Sequence, residues 1–254
     1  MLKQEYINDP IVKQFIQYFT VLATDPRAEF IQNYKPRTNK QRFSIQHFSA
    51  ALEQYHWNKA DYYATTIELE LHANRIQKAL QQQDQHQALL AAIRIFEWGG
   101  VINRASVSWL ADQADQDNLV GAINESITIL TSDHDEQLHR FAGNNVLRSD
   151  SATTKLFSLA SKEQSIIYDN RVGAALGAIA KAFLIDAGIH EVPEALNFMR
   201  GDATKRDQKR NPSDDTYQFQ IKETGEKHAL WNLRTNWIIS QVVKNWQCPL
   251  DVSV

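Results

Sequence analysis

Two ionisable residues near the middle of the chain have the types and the setting that an amine-based reaction needs. Lys155 follows residues 150–154, a run of Asp, Ser, Ala and Thr typical of a helix start, so it is predicted to lie in a first helical turn. The helix dipole there favours the neutral, nucleophilic form of the amine. Asp169 precedes a second, small-residue helix, where its carboxylate can cap the helix and stay ionised. Such a carboxylate can stabilise a cationic transition state or orient a water. Ordinary capping beside a surface lysine is the competing interpretation.

The pattern T-K-(apolar)…(apolar)-Y-D-x-R-V is carried by residues 154–172. It resembles the catalytic segment of the helix-hairpin-helix DNA glycosylase superfamily, and the match extends over about residues 141–176. By this resemblance, Lys155 matches the lysine that bifunctional members use as nucleophile, and Asp169 matches the aspartate on which all members rely. Arg171 matches the position two residues later, and Tyr168 and Arg171 are assigned to substrate binding.

The resemblance implies a compact, all-α, DNA glycosylase-like fold with at most a trace of β-structure. It also implies an enzyme that flips a damaged or modified base out of double-stranded DNA and cleaves its N-glycosidic bond, with no cofactor and with lyase activity if Lys155 is the nucleophile. The hairpin region would contact the DNA backbone through Ser151, Thr153 and Thr154. Ser151 and Thr153 stand where the family has two glycines, which let the backbone come close to a DNA phosphate. The side chains at these positions put such an approach in doubt for this chain.

Two long basic loops are candidates for further contacts with DNA phosphates. One loop carries Lys205, Arg206, Lys209 and Arg210 just after Arg200, and the other carries Lys35, Arg37, Lys40 and Arg42. Either loop alone is typical of a solvated surface, but together they favour a phosphate-binding face on a chain that is acidic as a whole.

The C-terminal helix places polar and aromatic groups within three turns. A flipped base needs an aromatic platform and amide groups that read its edge, and this helix offers both. The candidates for this pocket are His228, Trp231, Asn232, Arg234 and Asn236. The equally weighted alternative is a helix that packs its tryptophans into the core and leaves its polar face in water. Residues 98–104 are either a loop that reaches the same cleft or a helix stop.

Helical periodicity dominates the remaining sequence and predicts a single all-α domain over residues 1–254, with a lobe boundary near 100–115 as the alternative. Helices are predicted to start at Asp9-Pro10, Ser44, Asn58 and Asp84. Further helices are predicted near 106–113, 117–131, 135–147, 151–160 and 170–187, with a shorter one after Pro193 and a last one near 227–246. Residues 217–221 are predicted as a brief strand.

Composition sets the broad class. The chain has 254 residues, of which 43% are hydrophobic, and a formal net charge of −3, so any nucleic-acid binding must come from local patches. Cys248 is the single cysteine, which excludes an internal disulfide and suits a reducing, cytoplasmic location. No signal peptide or membrane-spanning run is predicted, and His134 and His139, five positions apart, do not fit a metal-binding helix.

The leading hypothesis is therefore a DNA glycosylase-like enzyme. A role in defence against foreign modified DNA is compatible with this hypothesis. A non-enzymatic helical module that binds nucleic acid or protein is the alternative. A purely structural protein, the third hypothesis, predicts Lys155 and Asp169 exposed and apart. Their convergence in a cleft wide enough for a base distinguishes the first two hypotheses.

Overall fold

Helices account for nearly all the regular structure in a computed structural model of the chain. The structure describes residues 1–34, 43–101, 103–143, 147–162, 164–201 and 211–246. The helices are α1 (Lys3–Asn8), α2 (Pro10–Thr24), α3 (Ala50–Glu53), α4 (Tyr62–Gln81), α5 (Gln85–Trp98), α6 (Arg104–Asp115), α7 (Leu119–Leu130), α8 (Thr153–Ala160), α9 (Asn170–Asp186) and α10 (Glu226–Asn245). Two short strands, β1 (Gln32–Tyr34) and β2 (Phe43–Ile45), pair antiparallel. The predicted all-α class is confirmed.

Side-chain caps place several helix starts where the sequence predicts them. The Asp9 carboxylate accepts hydrogen bonds from the backbone amides of Ile11 and Val12, and Pro10 occupies the first helical position of α2. Asp84 caps α5 by accepting a hydrogen bond from the Gln87 amide. Each cap satisfies amides that have no partner within the helix, which fixes the residue at which the helix begins.

Four predicted helices differ from the structure. Ser44 lies in β2 rather than at a helix start. Asn58 lies in a tight turn with φ of 48°, and α4 begins only after Asp61, which caps it. Asn tolerates the left-handed backbone region, so the same residue that suits a cap also suits a turn. Where a helix is predicted near 135–147, the described residues 135–143 contain only the 3₁₀ turn Leu138–Phe141, and the helix predicted after Pro193 is reduced to the 3₁₀ turn Glu194–Leu196. Residues 217–221 form no strand beyond a single bridge between Ile221 and Arg200.

The buried hydrophobic residues form one cluster that runs from Tyr6 in α1 to Val242 in α10. In its centre, the ring of Phe15 packs against the rings of Phe183 and Phe198, with centroids 5.8 and 5.7 Å apart. Helix α8 packs against α4, α5 and α7, and each of its residues is buried. A lysine near the start of α8 is therefore carried into the interior by its own helix.

Candidate functional site

The first turn of α8 is closed by a reciprocal pair of side-chain hydrogen bonds. The Asp150 carboxylate accepts from the backbone amides of Ala152 and Thr153 at 2.8 and 3.1 Å, while the Thr153 hydroxyl accepts from the Asp150 amide at 2.9 Å. This capping arrangement satisfies donors that a DNA phosphate would otherwise use. The Asp150 carboxylate thus binds backbone amides in the segment that the resemblance assigns to contacts with a DNA phosphate.

Lys155 is the third residue of α8, and its side chain is only 7% exposed. Its Nζ donates a hydrogen bond to the backbone oxygen of Ser151 at 2.7 Å. The aliphatic part of the side chain lies against Gly99, directly after α5, where an added Cβ would be 2.5 Å from Lys155 Cδ. Gly99, which ends α5, therefore also contacts Lys155.

Asp169 caps α9 and faces Lys155. One carboxylate oxygen accepts hydrogen bonds from the amides of Arg171 and Val172, at 2.7 and 3.1 Å. The other lies 3.7 Å from Lys155 Nζ and 3.2 Å from Arg171 Nη1. The two predicted catalytic residues therefore converge, and the expectation that they would be exposed and apart is wrong.

Burial and charge act in opposite directions on this pair. Burial lowers the pKa of Lys155, Asp169 raises it and Arg171 lowers it, so that the pKa lies below its ordinary value. Burial raises the pKa of Asp169, but Lys155, two backbone amides and Arg171 lower it, and the net shift is downward. The carboxylate is therefore held ionised, while the amine loses its proton more easily than an exposed lysine does.

A turn that the sequence did not single out positions Arg171. Trp57 and Ala60 exchange two backbone hydrogen bonds around Asn58 and Lys59, which both have positive φ. The Trp57 indole and the Asn58 amide both donate to the Trp98 backbone oxygen, at 3.0 and 3.2 Å, which fixes the turn to the end of α5. Arg171 lies over the Trp57 ring, with its Cζ 4.5 Å from the centroid. The dense aromatic run at residues 55–63 is the sequence signal for this turn.

Lys222 is a second residue that sequence reasoning missed. Its ammonium donates a hydrogen bond to the Ser151 hydroxyl, on the residue whose carbonyl accepts from Lys155. Lys222 comes from an extended segment before α10, and no local motif indicates that this segment reaches α8. Tertiary contact alone brings it there.

Thr153, Thr154 and Tyr168 are buried, so the structure gives them internal partners in place of DNA. The Thr154 hydroxyl accepts from the Tyr168 amide at 3.2 Å. The Tyr168 hydroxyl donates to the Met199 carbonyl at 3.1 Å and accepts from its amide at 3.0 Å. These contacts tie the segment before Asp169 to the start of α8, so they support the site rather than line it.

The predicted base-pocket residues of α10 also point inward. Asn236 accepts from the Ile166 amide and donates to the Leu130 carbonyl, both at 2.8 Å. Asn232 donates to the Ile166 carbonyl at 2.9 Å. These two asparagines anchor the chain that leads to Asp169.

The other residues predicted for the base pocket are equally enclosed. The His228 Nδ1 lies 2.9 Å from the Ser149 hydroxyl. The Trp231 ring packs on Phe198, with centroids 5.3 Å apart. Arg234 stacks between the rings of Tyr6 and Trp231. Helix α10 thus packs its tryptophans into the core, as the alternative interpretation predicted, but its polar face is also buried rather than exposed to water, so that the helix forms a scaffold behind the site.

A surface cavity of about 750 Å³ adjoins the site. Its lining includes Arg148 and Ser149, which directly precede Asp150, together with Trp109, Gly143 and Gly225, but not Lys155 or Asp169. The basic-loop residues Lys35, Arg37, Lys40, Arg42, Lys205, Arg206, Lys209 and Arg210 lie outside the described residues. Arg200 is described and donates to the Gly201 carbonyl.

No cluster of three or more His, Cys, Asp or Glu residues with a metal-binding arrangement occurs in the part of the chain that the structure describes. Within those same ranges, no helix combines the length and the apolar character that crossing a bilayer requires. Comparisons with protein-family models, with curated proteins and with solved structures find no match.

Proposed function

We propose that the protein is a DNA glycosylase-like enzyme in which Lys155 is the nucleophile and Asp169 the electrostatic partner. The observation that carries the proposal is the 3.7 Å approach of Lys155 Nζ to Asp169 Oδ2, at the starts of two helices and in a setting that is almost closed to water. A lysine becomes a nucleophile when burial or a neighbouring cation lowers its pKa. Both causes act on Lys155, and the second comes from Arg171.

In the proposed reaction, the neutral amine of Lys155 forms a bond to the sugar C1′ as the C1′–N bond to the base breaks. The base leaves with the electron pair and takes up a proton. Positive charge develops on the sugar in the transition state, and the ionised carboxylate of Asp169 stabilises it. The amine then loses one proton, the nitrogen lone pair forms the C=N bond as the C1′–O4′ bond breaks, and O4′ takes up a proton, which gives a protonated Schiff base between Lys155 and C1′ in the opened sugar.

Exposed groups beside the pair support a nucleic-acid substrate. The Arg171 side chain is 51% exposed although it also pairs with Asp169, so its guanidinium offers donors to a phosphate. Tyr55, Tyr62 and Tyr63 form an edge-to-face chain with centroids 5.9 and 5.6 Å apart, and Tyr63 is 77% exposed. The Tyr55 hydroxyl lies within the electrostatic reach of Arg171 and Asp169. Exposed aromatic rings near a cation are a usual surface for stacking an unpaired base.

The test is base release from duplexes that carry single damaged or modified bases, scored as alkali-labile abasic sites. Borohydride added during the reaction should trap a covalent protein–DNA adduct on wild-type protein. Lys155→Gln should lose both the adduct and base release. Lys162→Gln, which changes an exposed lysine beyond the other end of α8, should keep both. Efficient base release without an adduct would transfer the nucleophile role to water, and base release from none of the duplexes would remove the proposal.

One further observation favours the non-enzymatic alternative, a helical module that binds a protein partner. Tyr63, Ile67 and Leu71 lie four positions apart on α4 and are 77%, 62% and 54% exposed, so they form an apolar stripe. If this stripe carries the function through self-association, Ile67→Glu should change the sedimentation coefficient while Asp169→Asn should leave it unchanged. A wild-type protein that sediments as a monomer at high concentration would exclude self-association through this face.

A further inference from the structure

Two lysine side chains meet at one residue in the proposed site. The Lys155 ammonium donates to the Ser151 carbonyl at 2.7 Å, and the Lys222 ammonium donates to the Ser151 hydroxyl. Lys155 is almost fully buried and Lys222 is half-buried, so water screens their mutual repulsion only weakly. A second cation is therefore held beside the lysine that the proposed function requires to be neutral.

The backbone fixes Lys222 in this place. Its amide donates to the Arg200 carbonyl at 2.7 Å, and the Arg200 amide donates to the Gln220 carbonyl at 3.0 Å. Gly201 then passes so close to Asn170 that an added Cβ would be 2.7 Å from Asn170 Cγ. The backbone segment that carries Lys222 therefore lies against the start of α9. These backbone contacts, and not the side-chain rotamer alone, place the Lys222 ammonium near Ser151.

Both charged and neutral groups face this pair of lysines from the surrounding elements. Helix α9 contributes Asp169 and Arg171, and the turn before α8 contributes Asp150, which also forms an ion pair of 2.6 Å with Arg148. The end of α5 presents the uncharged backbone of Gly99. Helix α10 presents His228, whose pKa burial lowers to about 3, so that it is neutral at ordinary pH. Arg171 lowers the pKa of Lys155 against the effect of Asp169 and Asp150, and Lys222 is a further ammonium that shares Ser151 with Lys155.

We propose that Lys222 is a positioning residue for Lys155, which holds Ser151 in place and shifts the Lys155 ammonium towards the neutral amine. This inference rests on the proposed function only in that the neutral amine of Lys155 would serve as the nucleophile in base release. Burial lowers the pKa of Lys222, Asp150 and Asp169 raise it, and Lys155 lowers it, so that this pKa also lies below its ordinary value. A neighbouring cation is one of the established ways in which a protein makes a lysine nucleophilic.

The experiment measures the protonation of Lys155 without DNA. Protein labelled with ¹³C-lysine is titrated by NMR, and the Lys155 side-chain resonance is assigned by its loss in Lys155→Arg. Removal of the second cation in Lys222→Met should raise the midpoint of this titration by about one unit, which corresponds to about tenfold less neutral amine at a given pH. Lys222→Arg retains the charge and should keep the wild-type midpoint.

Two more variants control for indirect effects. Lys244→Met removes a lysine near the C-terminal end of α10, about 27 Å along the helix axis from the first residue of that helix, and should leave the midpoint unchanged. Ser151→Ala removes the acceptor of Lys222 and should move the midpoint in the same direction as Lys222→Met. It provides the same test if Lys222→Met does not fold. A folded Lys222→Met protein with the wild-type midpoint would overturn the inference.

Assays of base release separate this inference from the proposed function. In active protein, the pH at which base release begins should rise in Lys222→Met along with the NMR midpoint. A shifted midpoint in a protein that releases no base would leave the role of Lys222 intact and remove the glycosylase. Base release together with an unshifted NMR midpoint in Lys222→Met would support the glycosylase and remove the role of Lys222.

Discussion

At the scale of single residues, Lys155 and Asp169 are held together by contacts that their own sequence positions do not reveal. Asp169 serves two purposes, because one carboxylate oxygen caps α9 while the other faces Lys155 and Arg171. Lys155 depends on Ser151 for a hydrogen bond and on Gly99 for space. Single substitutions can therefore separate the contribution of each residue to helix capping from its contribution to the proposed reaction.

Asp169→Asn separates the two purposes of this carboxylate. Asparagine is also a good helix cap, so α9 should form, but Lys155 and Arg171 lose the charge that they share. We expect the free energy of unfolding to fall by about 2 kcal/mol, less than for a fully buried pair because Lys155 can release its proton. Base release should be abolished. Urea denaturation and the abasic-site assay measure the two effects, and a folded Asp169→Asn protein with full activity would remove this residue from the mechanism.

Gly99→Ala tests the close contact between the end of α5 and Lys155. The backbone of Gly99 has φ of −73°, which any residue adopts, so the effect should come from the new methyl group alone. That group would meet the Lys155 side chain and displace its amine, with a loss of about 1–2 kcal/mol of stability and a clear loss of base release.

The matched control for this contact is Gly121→Ala within α7. Its Cβ would meet only the flexible Asn118 side chain, and alanine is favoured over glycine in a helix. Activity of Gly99→Ala equal to that of this control would show that the contact does not position Lys155.

At the scale of elements, the sequence predicts what local chemistry determines. Helix starts with unambiguous caps, at Asp9, Asp84 and Asp169, occur where they were predicted. Asn58 and the stretch at 135–147 were assigned wrongly, because a residue that suits a cap also suits a turn and because weak periodicity does not overcome tertiary packing. The position of Lys222 depends on contacts between distant segments, which no local pattern encodes.

Helix α10 behaves as a scaffold, and Asn236→Ala tests this role. The substitution leaves the Ile166 amide and the Leu130 carbonyl without their partner inside the protein, at an expected cost of about 2–4 kcal/mol. Amide hydrogen exchange should then accelerate at Ile166 and through the segment that leads to Asp169. Asn8→Ala, which alters an exposed asparagine, is the control. Unchanged exchange at Ile166 would contradict the scaffold role.

At the scale of the whole molecule, a buried, neutral histidine links the fold to pH. His228 is fully buried against Ser149 and Tyr168, the residues that precede Asp150 and Asp169. Its pKa is lowered to about 3, mainly by burial and in part by the positive charge of Lys222, while Asp150 acts in the opposite direction. Since both helix starts of the site meet at this ring, protonation of His228 should act on the stability of the entire chain.

The sign of this effect follows from proton binding. An unfolded histidine has a pKa of about 6.5, so between about pH 6.5 and pH 3 the unfolded state binds a proton that the native state does not. The contribution to stability is complete above about pH 6.5 and is lost progressively as the pH falls. Between pH 7.5 and pH 5.5 this one group should remove about 1.4 kcal/mol from the free energy of unfolding.

His228→Gln should remove that part of the pH dependence, because glutamine fills a similar volume and does not titrate. Denaturant unfolding of both proteins at several pH values between 5.5 and 7.5 measures it, and the difference in slope between them is the informative quantity. His72, whose pKa burial also lowers, contributes equally to both proteins and cancels in the comparison. Stability curves that stay parallel over this range would show that His228 takes up its proton in the native state at the same pH as in the unfolded state, and would contradict a ring kept neutral by burial at the junction of the two helix starts.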